Sequence, residues 1–555
     1  MILSSINGNT ENIKFLLQQP NIDVNKVSIK GETALSYAVI QKRKDIVEML
    51  LKHPDIDVNK QGKNKQSALH YAIIKNEKNE NEIAEMLLKH PAIDVNIQDD
   101  EMNMTLIIAS INGHTEDIKL LLQQPSIDVN KVNIKGETAL NYAALQGLRD
   151  IVEILIRHPG VNVNKQGDRQ LSALQYAVIP LRNNKKLNKK DTVELILKHP
   201  DTNINMQDNE GYTALMGASV NGYTEYIKLL LKQPNIDVNK VNVNGKTALI
   251  IAIGKNHKDT VEMLLKHPDI DVNIEDENKF NALIYAISKD ACIEIIKLLL
   301  QHPKHDVNKV EASGATALMY ASLFGHVETV KLLLNHPKID INAKNHQGYS
   351  ALSWAARKNH IEIAKLLLNQ QDIEVNDQYE NGCSILMDVA MKGHEEIVQL
   401  LLKHPKIDVN LQDQNSGVTA LILAVVFEHD KVVELLLKHP MIDVNRQDQK
   451  MYTALMCSTI CNYKTITVLL LQHPKTDIYK ESNPKITALT AAAIKGHEEI
   501  VEKLLNYPGV DVNEYESISN AFFLSIILGH EGVVKLFLEK GIDINKKYFE
   551  KGFTR

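Results

Sequence analysis

Tryptophan occurs once in this chain, at Trp354, and aromatic residues together are only 5% of its 555 residues. There are four cysteines, Cys292, Cys383, Cys457 and Cys461, too few for a disulfide framework in so long a sequence. Long hydrophobic runs are missing. The longest apolar stretches, such as 522–528, fall far short of the ~18–20 residues that cross a bilayer. The N-terminal stretch MILSSINGNTENIKFLLQQP has no basic segment followed by an apolar one, so no secretory leader is read there. Neither sign of charge dominates: 63 basic against 69 acidic residues give −6, which offers no general attraction to nucleic acid or an anionic membrane. With 44% apolar and 24% charged residues, the composition excludes a chain disordered throughout. The expected compartment is the cytoplasm, with the nucleus as the alternative.

What the sequence has in abundance is repetition. The phrase HP-x-IDVN recurs, ending at Asn25, Asn59, Asn96, Asn130, Asn164, Asn205, Asn239, Asn273, Asn308, Asn342, Asn376, Asn410 and Asn445. It continues in degraded form at Tyr479, Asn513 and Asn545, making sixteen copies, mostly 34 residues apart. The exceptions are 37 residues from Asn59 to Asn96, 41 from Asn164 to Asn205, two of 35 and a final 32. A second phrase, TAL, follows eight residues after many of these positions, as at Thr33, Thr316 and Thr453. A period this regular predicts a stacked solenoid rather than separate globules.

The unit at 316–342 reads as two helices. Thr316 is placed to cap a short helix from Ala317 to about Leu323, and Gly325 supplies the left-handed backbone that ends it. A second helix starts near Val327, with Glu328 at its positive end. Val330, Leu333 and Leu334 form one apolar face, and Pro337 helps stop the helix. An extended loop or hairpin follows. One such pair cannot bury its apolar face alone, so neighbours must stack.

The pattern G-x-TAL-x-x-A-x-x-GH-x-x-x-V-x-x-LL with a closing DVN resembles the ankyrin repeat, over essentially the whole chain. It departs from that family's TPLH signature, since Ala replaces Pro and the His survives only as His70. The loop after the second helix is one residue longer. The resemblance implies an all-α ankyrin-repeat solenoid, taken as a single array over 1–555 with incomplete first and last units. Beginning and ending inside a repeat leaves two readings, frayed ends or an excerpt of a longer array. Within the array, segments from Gln18, Gln123 and Lys232 are most alike, 105 and 109 residues apart, which points to duplication of a three-unit block.

No catalytic motif emerges. Gly245-Lys246-Thr247 lacks the earlier glycine of a phosphate loop, and His394-Glu395 lacks the second histidine of a zinc-protease motif. Ten histidines precede the helix-ending proline, among them His53, His267 and His404. Stacked helices ~8–10 Å apart would keep such a row from sharing a metal, so these side chains are expected to satisfy helix-end carbonyls. Cys457 and Cys461 are expected as buried thiols. Tyr37, Tyr71, Tyr142, Tyr176, Tyr285, Tyr320 and Trp354 share one register, expected as a stacked core ladder, and Asp388 interrupts it. The basic insertion at 180–190, with Arg182, Lys185, Lys186, Lys189 and Lys190, is expected as a solvated loop between the paired helices. The 37-residue unit has a similar polar loop near 76–81. The expectation is no catalytic residue, no metal and no cofactor.

The resemblance implies protein binding through hairpin tips and the concave first-helix surface. The matching tip positions are Tyr212, Phe280, Tyr349 and Tyr452; those before the GH turn include Leu323-Phe324, Val426-Phe427 and Ile527-Leu528. Large apolar residues there favour a binding surface over a solvated one. The expected function is a non-catalytic scaffold or adaptor, a monomer with another protein as partner. The alternative is a targeting or regulatory region of a larger enzyme or channel. The recurrent L-x5-DVN, as from Leu51 to Asn59, also resembles the target of asparaginyl hydroxylases; the Asn is otherwise expected to bridge backbone groups of its turn.

Overall fold

The computed structural model describes residues 1–76, 81–180 and 189–544. The chain divides into two compact units, Met1–His305 and Asp306–Arg555. Among the described residues the first holds nine successive pairs of α-helices and the second holds seven. The only β-pairing among the described residues is three isolated bridges at the hairpins, such as Gln98 with Met104.

Each pair forms for local reasons. In the second unit, Thr316 Oγ1 accepts from the N–H of Met319 and opens the helix Ala317–Phe324. Gly325 closes it at φ 81°, and the second helix runs Val327–Leu334. Both bounds agree with the sequence expectation to within a residue. Ala317, Leu318, Ala321, Val330 and Leu333 are buried together between the helices. Burying a Leu or Val side chain stabilises by about 1.5–3 kcal/mol, so a few such positions per pair carry the stack. First helices pack on neighbouring first helices and on their own second helices, as Ala248–Gly254 does against Ala282–Ser288 and Lys258–Leu265.

The connection between pairs is a tight hairpin. Asn345 N–H donates to Tyr349 O at 3.0 Å, and Gly348 N–H to Asn345 O at 2.9 Å. Here the DVN asparagine finds its role, which differs from the expected bridge within its own turn. Asn239 Nδ2 donates to Asp269 O at 2.7 Å, and its Oδ1 accepts from Asp271 N–H at 2.9 Å, both in the following repeat. The same two-way bridge recurs in the second unit, with Asn342 reaching Asp372 O and Glu374 N–H. A half-buried polar side chain thus fastens one repeat to the next at these joints.

The histidines before proline also act differently from expectation. In nine of the ten, Nδ1 accepts from the backbone N–H two residues on, as His267 does from Asp269 and His404 from Lys406, whereas His302 Nδ1 makes no such bond. Accepting at Nδ1 requires the neutral ring. Burial, with Lys406 close by, holds the His404 pKa below its ordinary value. Histidines of the GH turns work across repeats instead. His257 Nε2 donates to Val220 O at 3.2 Å, and His360 Nε2 to Leu323 O at 3.1 Å.

Three further expectations are corrected. Cys461 is exposed rather than buried, although burial raises the Cys457 thiol to about 12. The tyrosine register anchors partly through its hydroxyls: Tyr71 Oη donates to Glu32 at 2.6 Å and Tyr176 Oη to Glu137 at 3.0 Å. Lys189, assigned to a solvated loop, is buried, and its ammonium donates to Ile179 O at 2.8 Å. That burial brings its pKa down to about 8. The insertions of the two longer repeats fall between paired helices; Arg182, Lys185, Lys186 and the middle of the 76–81 loop lie outside the described residues, as does Asn545.

Candidate functional surface

The hairpin tips are built as a rigid edge. In eight repeats an Asp or Asn three residues after the DVN position accepts two backbone N–H groups of its own tip. Asp208 Oδ1 takes those of Glu210 and Tyr212 at 3.0 and 2.7 Å, and Asn345 Oδ1 those of Gln347 and Tyr349. A glutamine beside it ties neighbouring tips together: Gln207 Nε2 donates to Gly211 O and to Val241 O of the next repeat. In the second unit Gln412 and Gln447 repeat this, reaching Gln447 O and Glu481 O. Side chains carried on these tips are therefore held before any partner arrives, which lowers the ordering cost of binding.

The predicted candidates separate into two groups. Phe324, Val426 and Phe427, at the ends of first helices, are exposed, the two phenylalanines to 48% and 49%. Leu323 beside them is half-buried, and its carbonyl accepts from His360. Phe324 also lies near Tyr320 and His326, with ring centroids 6.0 and 5.8 Å away. The tip residues Tyr212, Phe280, Tyr349 and Tyr452 are all half-buried. Ile527 and Leu528, in the last described repeat, are exposed.

Tyr349 belongs to a cluster. Its ring centroid lies 4.2 Å from that of Tyr379 and 4.9 Å from that of Trp354. Arg357 sits over the ring and donates to its hydroxyl at 2.7 Å. The same guanidinium lies 3.6 Å from Asp388, which is almost fully buried where seven other repeats have Tyr or Trp. Burial raises the Asp388 pKa, and Arg357 opposes that rise only in part. Tyr379 stands where eight other tips have Asp or Asn, so this repeat departs from the commonest residue at both positions.

The sequence reading missed a set of exposed apolar tips in the first unit. Ile29, Ile134 and Val243 are exposed at the same place in three hairpins. The signal was available, because they lie in the three segments that mark the three-unit period. Among the described residues, no group of three or more His, Cys, Asp or Glu is placed to hold a metal ion, and no helix is long and apolar enough to cross a membrane.

The family profile described as "Ankyrin repeats (3 copies)" matches residues 1–99, 78–167, 106–185, 174–276, 235–311, 283–379, 352–448, 386–481 and 454–548. No curated protein matches the sequence. A solved structure titled "Crystal Structure of EF0377 an Ankyrin Repeat Protein" is similar, at 28% identity, covering 38% of this chain and 100% of that one with a TM-score of 0.33. With profile matches that together span residues 1–548, the chain belongs to the ankyrin-repeat family.

Proposed function

We propose that this chain is a non-catalytic scaffold or adaptor that captures another protein along its hairpin tips and first-helix ends. The observation that carries the reading is the exposure of Phe324, Val426 and Phe427 at equivalent helix ends in the second unit. Exposed aromatic side chains on a preorganised frame are the usual anchors of protein interfaces. Specificity comes from which repeats carry them. The four cysteines are all free thiols, which fits a reducing compartment, the cytoplasm or nucleus.

Affinity capture from source-cell lysate tests the proposal. Wild type is compared with a variant in which Tyr212, Phe324, Tyr349, Phe427 and Tyr452 are replaced by Ala, its fold checked by circular dichroism. The expected outcome is a protein retained by wild type and lost by the folded variant. Equal retention by both would exclude these positions as the binding surface.

A further inference from the structure

A groove in the first unit marks a place where one side chain has been removed from the first-helix row. The row position is Tyr176 in the helix Ala173–Val178, Ile251 in Ala248–Gly254 and Tyr285 in Ala282–Ser288. In the helix Ala214–Asn221 it is Gly217. The backbone does not require glycine there, because Gly217 lies in ordinary right-handed helix without a positive φ. A Cβ at that position would meet only a methyl of Val178, at 3.3 Å. Glycine inside a helix is unfavourable relative to alanine, although a Cβ here would have to displace the Val178 methyl by a few tenths of an ångström.

What the glycine creates is a cavity of about 370 Å³. Val178, Ile179, Pro180, Val220 and Tyr212 form its walls. The polar groups among its lining are already engaged. Gln175 accepts from Ser172 N–H at 2.8 Å and donates to Tyr212 O at 2.7 Å, and Asn221 donates to Gly217 O at 2.9 Å. The interior therefore offers apolar contact and asks for no hydrogen bond. On the rim stand two carboxylates, Asp208 and Glu210, and no lysine or arginine lines the groove among the described residues. Asp208 is held by its own tip, whereas Glu210 is exposed and makes no ion pair with a described residue. The volume lies at the small end of ligand pockets, which run from about 300 to 1,000 Å³, and suits one large side chain with its flanking backbone.

We propose that this groove binds an extended segment of a partner protein, seating one bulky apolar side chain over Gly217 with an adjacent Lys or Arg against Asp208 and Glu210. The proposal rests on the protein-binding reading above and gives it a partner chemistry. The apolar side chain supplies contact area against Val178, Ile179, Pro180 and Val220. The basic neighbour pairs with the rim carboxylates of Asp208 and Glu210 and sets the direction of the segment.

The test uses the full chain, methyl-labelled at Ile, Leu and Val, titrated with acetyl-Lys-Phe-Lys-amide and followed by NMR. The expected result is saturable shifts of the Val178, Ile179 and Val220 methyls with a Kd on the order of 1 mM. Acetyl-Glu-Phe-Glu-amide is expected to bind at least about tenfold more weakly, and Glu210→Lys to weaken the basic peptide about fivefold. Gly217→Ile installs a residue the row already uses at Ile251, so the variant is expected to keep its remaining methyl spectrum while losing these shifts. The proposal is overturned if wild type shows no shifts there up to about 10 mM, if Gly217→Ile responds like wild type, or if the two peptides bind equally. If the groove fails while lysate capture still depends on Phe324 and Phe427, only this inference falls and the adaptor reading stands.

Discussion

At the scale of single residues, the stack is held by side chains that look like surface decoration. Asn239 is only half-buried, yet it supplies both a donor and an acceptor to the next repeat. Replacing it with Ala leaves Asp269 O and Asp271 N–H to water. The expected cost is about 1–2 kcal/mol, since each bond contributes roughly 0.5–1.5 kcal/mol net, and urea denaturation measures it. Asp388 runs the other way. Its raised pKa means the folded chain prefers the protonated carboxyl, so its contribution is most favourable below the unfolded value near pH 4 and is lost as pH rises through the folded value. Asp388→Asn is therefore expected to raise the melting temperature at pH 7, with the gap to wild type closing toward pH 4. A gap that widened on acidification would show that the Arg357 pair outweighs the burial.

These two residues differ in how legible they were. The recurrence of Asn in DVN showed that it mattered. Its partner, however, lies 30 residues further on, and no reading of one turn could identify it. Asp388 was visible as an exception to the Tyr and Trp register, but its environment depends on Arg357, which carries no motif. Burial likewise decided the fate of Lys189 and Cys461, and burial depends on neighbouring repeats rather than on local pattern.

At the scale of elements, capping residues and the apolar spacing already placed the helix pair, because those signals act within a few residues. The joints between pairs were less legible, although their differences have consequences. Tyr479 replaces the DVN asparagine and cannot make the two-way bridge. Its ring stacks on Tyr515 instead, with centroids 3.9 Å apart. The joint at 507–513 is therefore expected to open more readily than the one at 473–479, where Asn445 bridges to Lys475 O and Asp477 N–H. Hydrogen exchange is expected to be about tenfold faster at Asp511 N–H than at Asp477 N–H, as a loss of roughly 1–2 kcal/mol implies. Equal protection at the two amides would mean that the aromatic stack replaces the lost bridge in full.

At the scale of the whole molecule, the all-α repeat fold follows from sixteen copies of one short instruction, which is why the sequence could be read so far. The binding surface is written in what varies between copies, so it was only half legible. Phe324, Val426 and Phe427 stood out as large apolar residues at a variable position and proved exposed. Tyr212, Phe280, Tyr349 and Tyr452 did not prove freely exposed, because hairpin packing folds them partly inward. Ile29, Ile134 and Val243 went unrecognised because similarity among three segments reads first as duplication and only then as surface.

The central claim is that a partner protein meets the tips and first-helix ends rather than the second helices. The most direct measurement places a photo-crosslinking amino acid at Phe324 or Phe427, and in parallel at Asn335 or Lys431 beside and on the second helices of the same repeats. Each chain is irradiated in source-cell lysate. The account predicts one shared crosslinked protein from positions 324 and 427 and none from 335 or 431. Crosslinks confined to 335 and 431 would contradict it and move the interface to the opposite face.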